Sequence, residues 1–220
     1  MYVRATHARW RIGYASKVGG GLTQAIARPT DLRHVGKLPV YLLRAARNEE
    51  TGDAYPNLDI ALSAAERARG RAMLEEIVPG DGPIVGLFTA ATGKKNLGAA
   101  WWQSFAAQFV CAIPNARLLE IIPLAGGSVL EHRWPTYYST NVRRMAAVIS
   151  GISRFVAADC GVMHLACAAG APTVGLFHGT EIMEWGPYGS RDLAFDVASM
   201  PPEAVANVLA ALHHQTVHRP

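Results

Sequence analysis

Several things are scarce in this 220-residue chain, and each scarcity narrows what it can be. Half of the residues are hydrophobic, yet none of the apolar runs reaches the roughly 18 uninterrupted residues that a membrane-crossing helix needs. The opening residues, MYVRATHARWRIGYASK, carry basic side chains but no apolar core of the kind that marks a secretory leader. Cysteine occurs only at Cys111, Cys160 and Cys167, an odd number without a Cys-x-x-Cys pair. That argues against a disulfide framework and fits a reduced, cytoplasmic protein. Aromatic residues make up 8% of the chain and are not interleaved with basic ones. No nucleic-acid-reading motif results, and no nucleic-acid partner is expected. Fixed-period repeats and low-complexity segments are also lacking.

What charge there is lies unevenly. Residues 1–50 carry 9 Lys and Arg against 3 Asp and Glu, whereas the other 170 residues carry 12 against 14. A basic first quarter suits an anionic partner, such as a phosphorylated glycan or a membrane surface, and it equally suits a solvated linker.

The chain is long enough for one large α/β domain or for one domain with an appendage. Residues 1–30 are glycine-rich and poorly periodic. From Asp31 to Arg47 the pattern turns helical, with Thr30 as a cap and Pro39 as an interruption. Ser63 to Val78 is the plainest helix, because Ser63 and Glu66 form a capping box and PGDGP ends it. Four apolar strands follow, at 83–88, 116–125, 153–158 and 172–177. Helices alternate with them at 99–110, 140–150 and 161–169, the second capped by Thr140, and a last helix runs over 201–215. Strands that are apolar throughout and alternate with helices predict a doubly wound parallel sheet covered on both faces. PIVGLF and PTVGLF are nearly identical, but the residues after them differ, so they read as two similar buried strands.

Ligands of such sheets bind beyond the carboxyl ends of the strands. That directs attention to the loops Thr89–Gly98, Asp159–His164 and His178–Gly189. Asp159 stands where the third strand ends, Gly161 permits close approach, and His164 lies about one turn into the next helix. Together they predict a polar pocket at a helix N-terminus, where free N–H groups and the positive dipole end suit a phosphate or diphosphate. The plainer alternative stays open: Asp159 only a cap and His164 only a core histidine. Lys94 and Lys95 can neutralise a phosphate at the same mouth or be a solvated pair. Cys160, His164 and Cys167 fall at helical spacings, but no fourth ligand is placed and zinc signatures are spaced differently. No metal and no cofactor is expected.

Taken together, FVAADCGVMHLACAAGAPTVGLFHGTEIMEWGPYG and FTAATGKKNLGAAWW resemble family 9 glycosyltransferases, the group that includes the ADP-heptose:lipopolysaccharide heptosyltransferases. Their pattern is a strand, Asp-Ser/Thr-Gly-x-x-His, a small-residue helix, an apolar strand and a loop ending near Trp-x-Pro. The resemblance runs from about Arg11 to the C-terminus and is strongest over 153–189. It implies the C-terminal, donor-binding Rossmann-like domain of a GT-B enzyme over 61–220, with 1–60 as linker and remnant of the acceptor domain, an appendage packed against the sheet. It also implies a nucleotide-sugar donor of ADP-heptose type, held by Asp159, Cys160, Gly161, His164 and Lys95, with Lys94 as the fallback. Transfer would be inverting and metal-independent, to a lipopolysaccharide or related anionic glycan, at a cytoplasmic site peripheral to the inner membrane.

Three departures accompany the resemblance. Cys160 stands where the family has a hydroxyl residue. The stretch that carries the ribose-contacting acid is short, leaving Glu131 as a weak candidate. The acceptor domain with its general base is not found in these residues, so no catalytic residue is assigned. A non-catalytic nucleotide-binding or partner-binding module is therefore the alternative. Exposure of surface that a second domain would cover predicts a homo-oligomer, with residues 1–60 in the contact.

Overall fold

The structure is a computed structural model that describes residues 8–16, 20–50, 52 and 54–217. Two compact units are present: residues 1–56 with Met183–Trp185, and residues 57–182 with 186–220. Arg4 and Lys17, which belong to the basic first quarter, lie outside the described residues.

In the first unit, β1 (Ile12–Tyr14) pairs in parallel with β2 (Gln24–Ile26), Ile12 opposite Gln24. Helix α1 (Leu38–Ala46) is tied to this ribbon by Tyr14 Oη, which donates to the Leu38 carbonyl at 2.5 Å, and by Gln24 Nε2, which donates to Ala46 O at 3.1 Å. The helix expected over 31–47 begins only at Leu38, with Lys37 rather than Thr30 at its N-cap position. Pro39 does not interrupt it. It sits in the first turn, where a missing N–H costs nothing because that N–H has no intrahelical acceptor.

The second unit opens with α2 (Ala64–Ile77). Ser63 Oγ accepts from Glu66 N while Glu66 Oε2 accepts from Ser63 N, the reciprocal box read from the sequence. Such a cap is worth about 1 kcal/mol. The elements that follow are β3 (Ile84–Phe88), α3 (Ala99–Ala112), β4 (Arg117–Ile121), β5 (Thr136–Tyr137), α4 (Val142–Ile149), β6 (Arg154–Ala158), α5 (Gly161–Ala169), β7 (Thr173–Phe177), α6 (Ile182–Trp185), β8 (Leu193–Asp196) and α7 (Pro202–Val217). The sheet order is β5-β4-β3-β6-β7-β8, with every pair parallel. Phe155 to Ala158 therefore runs beside Thr173 to Leu176 in one parallel sheet, as expected. Two strands of this sheet were not visible in the sequence, β5 and β8, and both lie at its edges; the pair β1 and β2 of the first unit was not visible either. The cap of α4 is Asn141, whose side chain accepts from Arg144 N, and not Thr140.

Alternation along each strand divides the core into two layers. Ile84, Phe88, Phe155 and Ala157 pack with Leu74 of α2, Met145 to Ile149 of α4 and Met163 of α5. Val85, Leu87, Val156 and Ala158 pack with Trp102, Phe105 and Phe109 of α3 and Val205 and Leu209 of α7. The near-identity of IVGLF and TVGLF has a packing reason. A Cβ on Gly86 would lie 2.7 Å from Ile152 Cδ1 and 2.8 Å from the Phe155 ring, and one on Gly175 would lie 2.7 Å from Met163 Sδ. Each glycine gives its volume to a bulky neighbour across the sheet face.

Candidate functional site

Strand order locates the site. From β3 the chain builds outward through β4 to β5, and from β6 it builds the opposite way through β7 to β8. The reversal falls between β3 and β6, and at such a switch point the two following loops diverge and leave a crevice beyond the strand ends. A cavity of about 1130 Å³ opens there.

One end of the cavity is polar. Asp159 directly follows β6 and is only 3% exposed. Its Oδ2 accepts a hydrogen bond from Thr180 Oγ1 at 2.8 Å and lies 3.0 Å from Lys95 Nζ. Lys95 ends the 3-10 turn Gly93–Lys95 in the loop after β3. The pair thus joins the two loops that diverge at the switch point. Asp159 was expected as the cap of α5, and the structure corrects this. The N-cap residue is Cys160, in extended conformation and without a side-chain cap hydrogen bond, while the carboxylate turns to Lys95 and Thr180. A cation and a hydroxyl outcompete N–H groups that its position, one residue too early, addresses poorly.

Cys160, Gly161 and His164 line the same cavity. Burial pushes the Cys160 thiol up, against the N–H groups of Met163 and Val162, which favour the thiolate. Gly161 does not supply a turn that only glycine can make, because its φ is not positive. What it supplies is room: a Cβ at this position would meet nothing within 4 Å. Space is thus left open beside the start of α5. Lys94 stands apart from the lining; its carbonyl is bonded by His178 Nδ1 at 2.7 Å, which fixes the course of the Lys94–Lys95 loop.

The other end is apolar, with Phe88, Ile122, Pro123, Leu124, Val142 and Met145. Leu124 and Val142 are exposed to 77% and 57%, a lip of apolar surface at the rim. Sequence reasoning missed this half. The signal was available, since β4 is as parallel as β3 and the loop after it, PLAGG, reaches the same edge. It missed Thr180 as well, which touches Asp159 rather than the cavity. Of the expected third loop, His178–Gly189, no residue lines the cavity. Glu131 points elsewhere: it faces Gln103 Nε2 at 3.3 Å, outside the cavity. A buried acid nearby in sequence, Glu120, is 1% exposed and accepts from Thr89 Oγ1, Ser128 Oγ and Val129 N, none of which lines the cavity. Among the described residues no group of three His, Cys, Asp or Glu side chains is placed to hold a metal ion.

Residues 139–207 match the family model of glycosyltransferase family 9 (heptosyltransferase). The likeness is to family 9 glycosyltransferases. That matched segment runs from the end of β5 through α5 and β7 into α7, and contains Asp159, Gly161 and His164. No curated protein sequence matches the chain. Among solved structures, it is similar to the family 9 glycosyl transferase of Veillonella parvula, with a TM-score of 0.70 and 15% identity over 96% of this chain and 68% of that one. It is also similar to ADP-heptose lps heptosyltransferase II of E. coli, with a TM-score of 0.66 and 15% identity over 87% of this chain and 66% of that one. A third is E. coli heptosyltransferase WaaC, solved with ADP, with a TM-score of 0.62 and 14% identity over 89% and 60%. At these identities the family 9 likeness establishes fold: one Rossmann-like domain of GT-B type, with a small N-terminal sheet. The chain spans between 60% and 68% of the length of these relatives.

Proposed function

We propose that the cavity at the β3–β6 switch point binds a nucleotide diphosphate sugar, of ADP-heptose type, as donor for transfer to a lipopolysaccharide or related anionic glycan. The observation that carries this reading is the polar end of the cavity, where Lys95 Nζ is held 3.0 Å from Asp159 beside the unobstructed first turn of α5. A lysine and a helix N-terminus together offer fixed positive potential to a diphosphate. The apolar end, from Phe88 to Met145, offers contact area for a base. WaaC was solved with ADP, and TibC, similar at a TM-score of 0.56 and 16% identity, with ADP-D-beta-D-heptose.

In this reading Asp159, Cys160, Gly161 and His164 border the diphosphate and Lys95 neutralises it, with Lys94 next in line. The leaving diphosphate is stabilised by preorganised charge and N–H dipoles, without a metal. Residues 1–60 are the linker and the remainder of an acceptor domain, and 61–220 the donor domain. The protein works in the cytoplasm, peripheral to the inner membrane; no helix among the described residues is long and apolar enough to cross one. Self-association through residues 1–60 belongs to the same reading, and light scattering that gives a monomer at micromolar concentration removes that part alone.

One observation favours binding without transfer by this chain alone. Among the described residues Asp159 is the only acidic one that lines the cavity, and it is engaged by Lys95 and Thr180. Among the described residues no further carboxylate lines the cavity to act as general base. Calorimetry with ADP, UDP, GDP and TDP tests the donor site. ADP is expected to bind best, and Lys95→Gln and His164→Ala are expected to weaken it about tenfold or more. Unchanged affinity in both variants overturns the assignment.

A further inference from the structure

On the layer of the second unit formed by α2 and α4 lies a separate cavity of about 470 Å³, which shares no lining residue with the donor cavity. Gly70 brings the two helices together: a Cβ there would lie 2.1 Å from Ala147 O. Beside that close crossing the helices part, and the groove between them is walled by Arg69, Arg143, Arg144 and Asn141, with Met73 and Val148 beneath.

Its charge is unbalanced. Among the described residues Glu66 is the only acid in the wall, and Arg143 takes both of its oxygens at 2.7 Å. Arg143 also donates to the carbonyls of Ile60 at 3.0 Å and Ala61 at 3.1 Å, so its guanidinium is immobilised by four hydrogen bonds. Arg69 and Arg144 differ. Both are exposed, and among the described residues neither has a carboxylate within ion-pair distance. Arg69 spends only its Nε, on Ala65 O at 3.3 Å. Two unneutralised guanidiniums therefore face a concave site that also offers an amide and an apolar floor. Guanidinium forks match phosphate oxygens in geometry.

We propose that the α2–α4 groove is a second binding site, for a phosphate group carried on an apolar or amphiphilic ligand. Arg69 and Arg144 bind the phosphate oxygens, Asn141 supplies one further polar contact, and Met73 and Val148 take the adjoining apolar part. The proposal is independent of the donor cavity, whose residues lie at the strand ends and share none with this groove.

The test uses the full chain and its Arg69→Gln/Arg144→Gln variant, with an Arg28→Gln/Arg133→Gln variant of equal net charge as control. Vesicles of phosphatidylcholine containing phosphatidic acid probe a lipid source. Inorganic pyrophosphate, offered to Lys95→Gln backgrounds so that the donor cavity does not contribute, probes a free one. At low salt the groove variant is expected to lose affinity for one of the two probes about 10- to 30-fold, as the removal of two surface cations predicts, and the control about threefold or less. Loss confined to vesicles identifies a lipid headgroup, and loss with pyrophosphate a soluble phosphoester. Equal loss in the groove and control variants, or no loss in the groove variant with either probe, overturns the proposal. Circular dichroism on all variants separates these results from misfolding.

Discussion

Replacement of Gly161 by alanine separates a ligand's demand for space from the fold's. At the two strand glycines, Gly86 and Gly175, a neighbour fills the missing Cβ position; at Gly161, which opens α5, nothing lies within 4 Å and φ is not positive. Alanine can therefore adopt the native backbone without strain, and it narrows the unfolded ensemble. Substitutions of that kind raise stability by about 0.4–1 kcal/mol, and a first-turn position belongs to the lower half of the range. The free chain should be about 0.5 kcal/mol more stable in urea denaturation, with an unchanged m-value. The same methyl group intrudes on the space before the first N–H groups of α5. A diphosphate seated there must retreat, and a loss of about 1.4 kcal/mol, a factor of ten in Kd for ADP, is expected by calorimetry. Stability and binding should thus move in opposite directions. Destabilisation by more than about 1 kcal/mol would show that the space is not open. Unchanged ADP affinity, in a chain whose Lys95→Gln variant loses it, would show that the diphosphate does not reach Gly161.

Asp159→Ala should leave the cap of α5 unaffected and instead strand Thr180 and release Lys95, for a loss of about 1–2 kcal/mol in chemical denaturation; because Lys95 is 34% exposed and can turn to solvent, the Thr180 hydroxyl sets most of that figure. Thr180→Val should reproduce a good part of it, and a silent Thr180→Val contradicts the argument. Gly70→Ala, with a Cβ 2.1 Å from a backbone oxygen that cannot move aside cheaply, should cost about 3 kcal/mol or prevent folding, read from the urea midpoint. A maleimide at pH 8 should label Cys111, which is exposed, well before Cys160 or Cys167. Burial, with Asp192 adding to it, pushes Cys167 up to about 12. Since that thiol's folded value lies above its unfolded one, its contribution to stability is whole below about pH 9 and declines as pH rises toward 12.

How much of this could be read beforehand depended on where the deciding contacts lie in the chain. The capping box of α2 spans three residues, and the sequence displays it whole. The buried strands announce themselves because both faces are covered. β5 and β8 do not, since an edge strand of two residues, or one whose apolar stretch is only Leu193 to Phe195 between two aspartates, is too short to stand out. Pro39 misled because the start of α1 is defined by its neighbours and by Tyr14, not by a side-chain cap. Asp159 stands at the strand end where it was expected, but its contacts were not foreseen. Its partners Lys95 and Thr180 are 64 and 21 residues away, and local spacing offered it only the helix beside it. The apolar end of the cavity was lost for the same reason, as it is assembled from the end of β3, the turn after β4 and the start of α4.

The two rims of the sheet also bear on how the chain behaves when crowded. A six-stranded parallel sheet leaves an unpaired row of N–H and C=O groups at each side, an invitation to edge-to-edge growth. At one side β5 offers only two residues, directly after Pro135, which has no N–H to give. At the other, β8 is four residues long and closes on the charged Asp196. Both rims are short, so this sheet offers little backbone on which a further strand can grow, and concentrated solutions should deposit through it slowly.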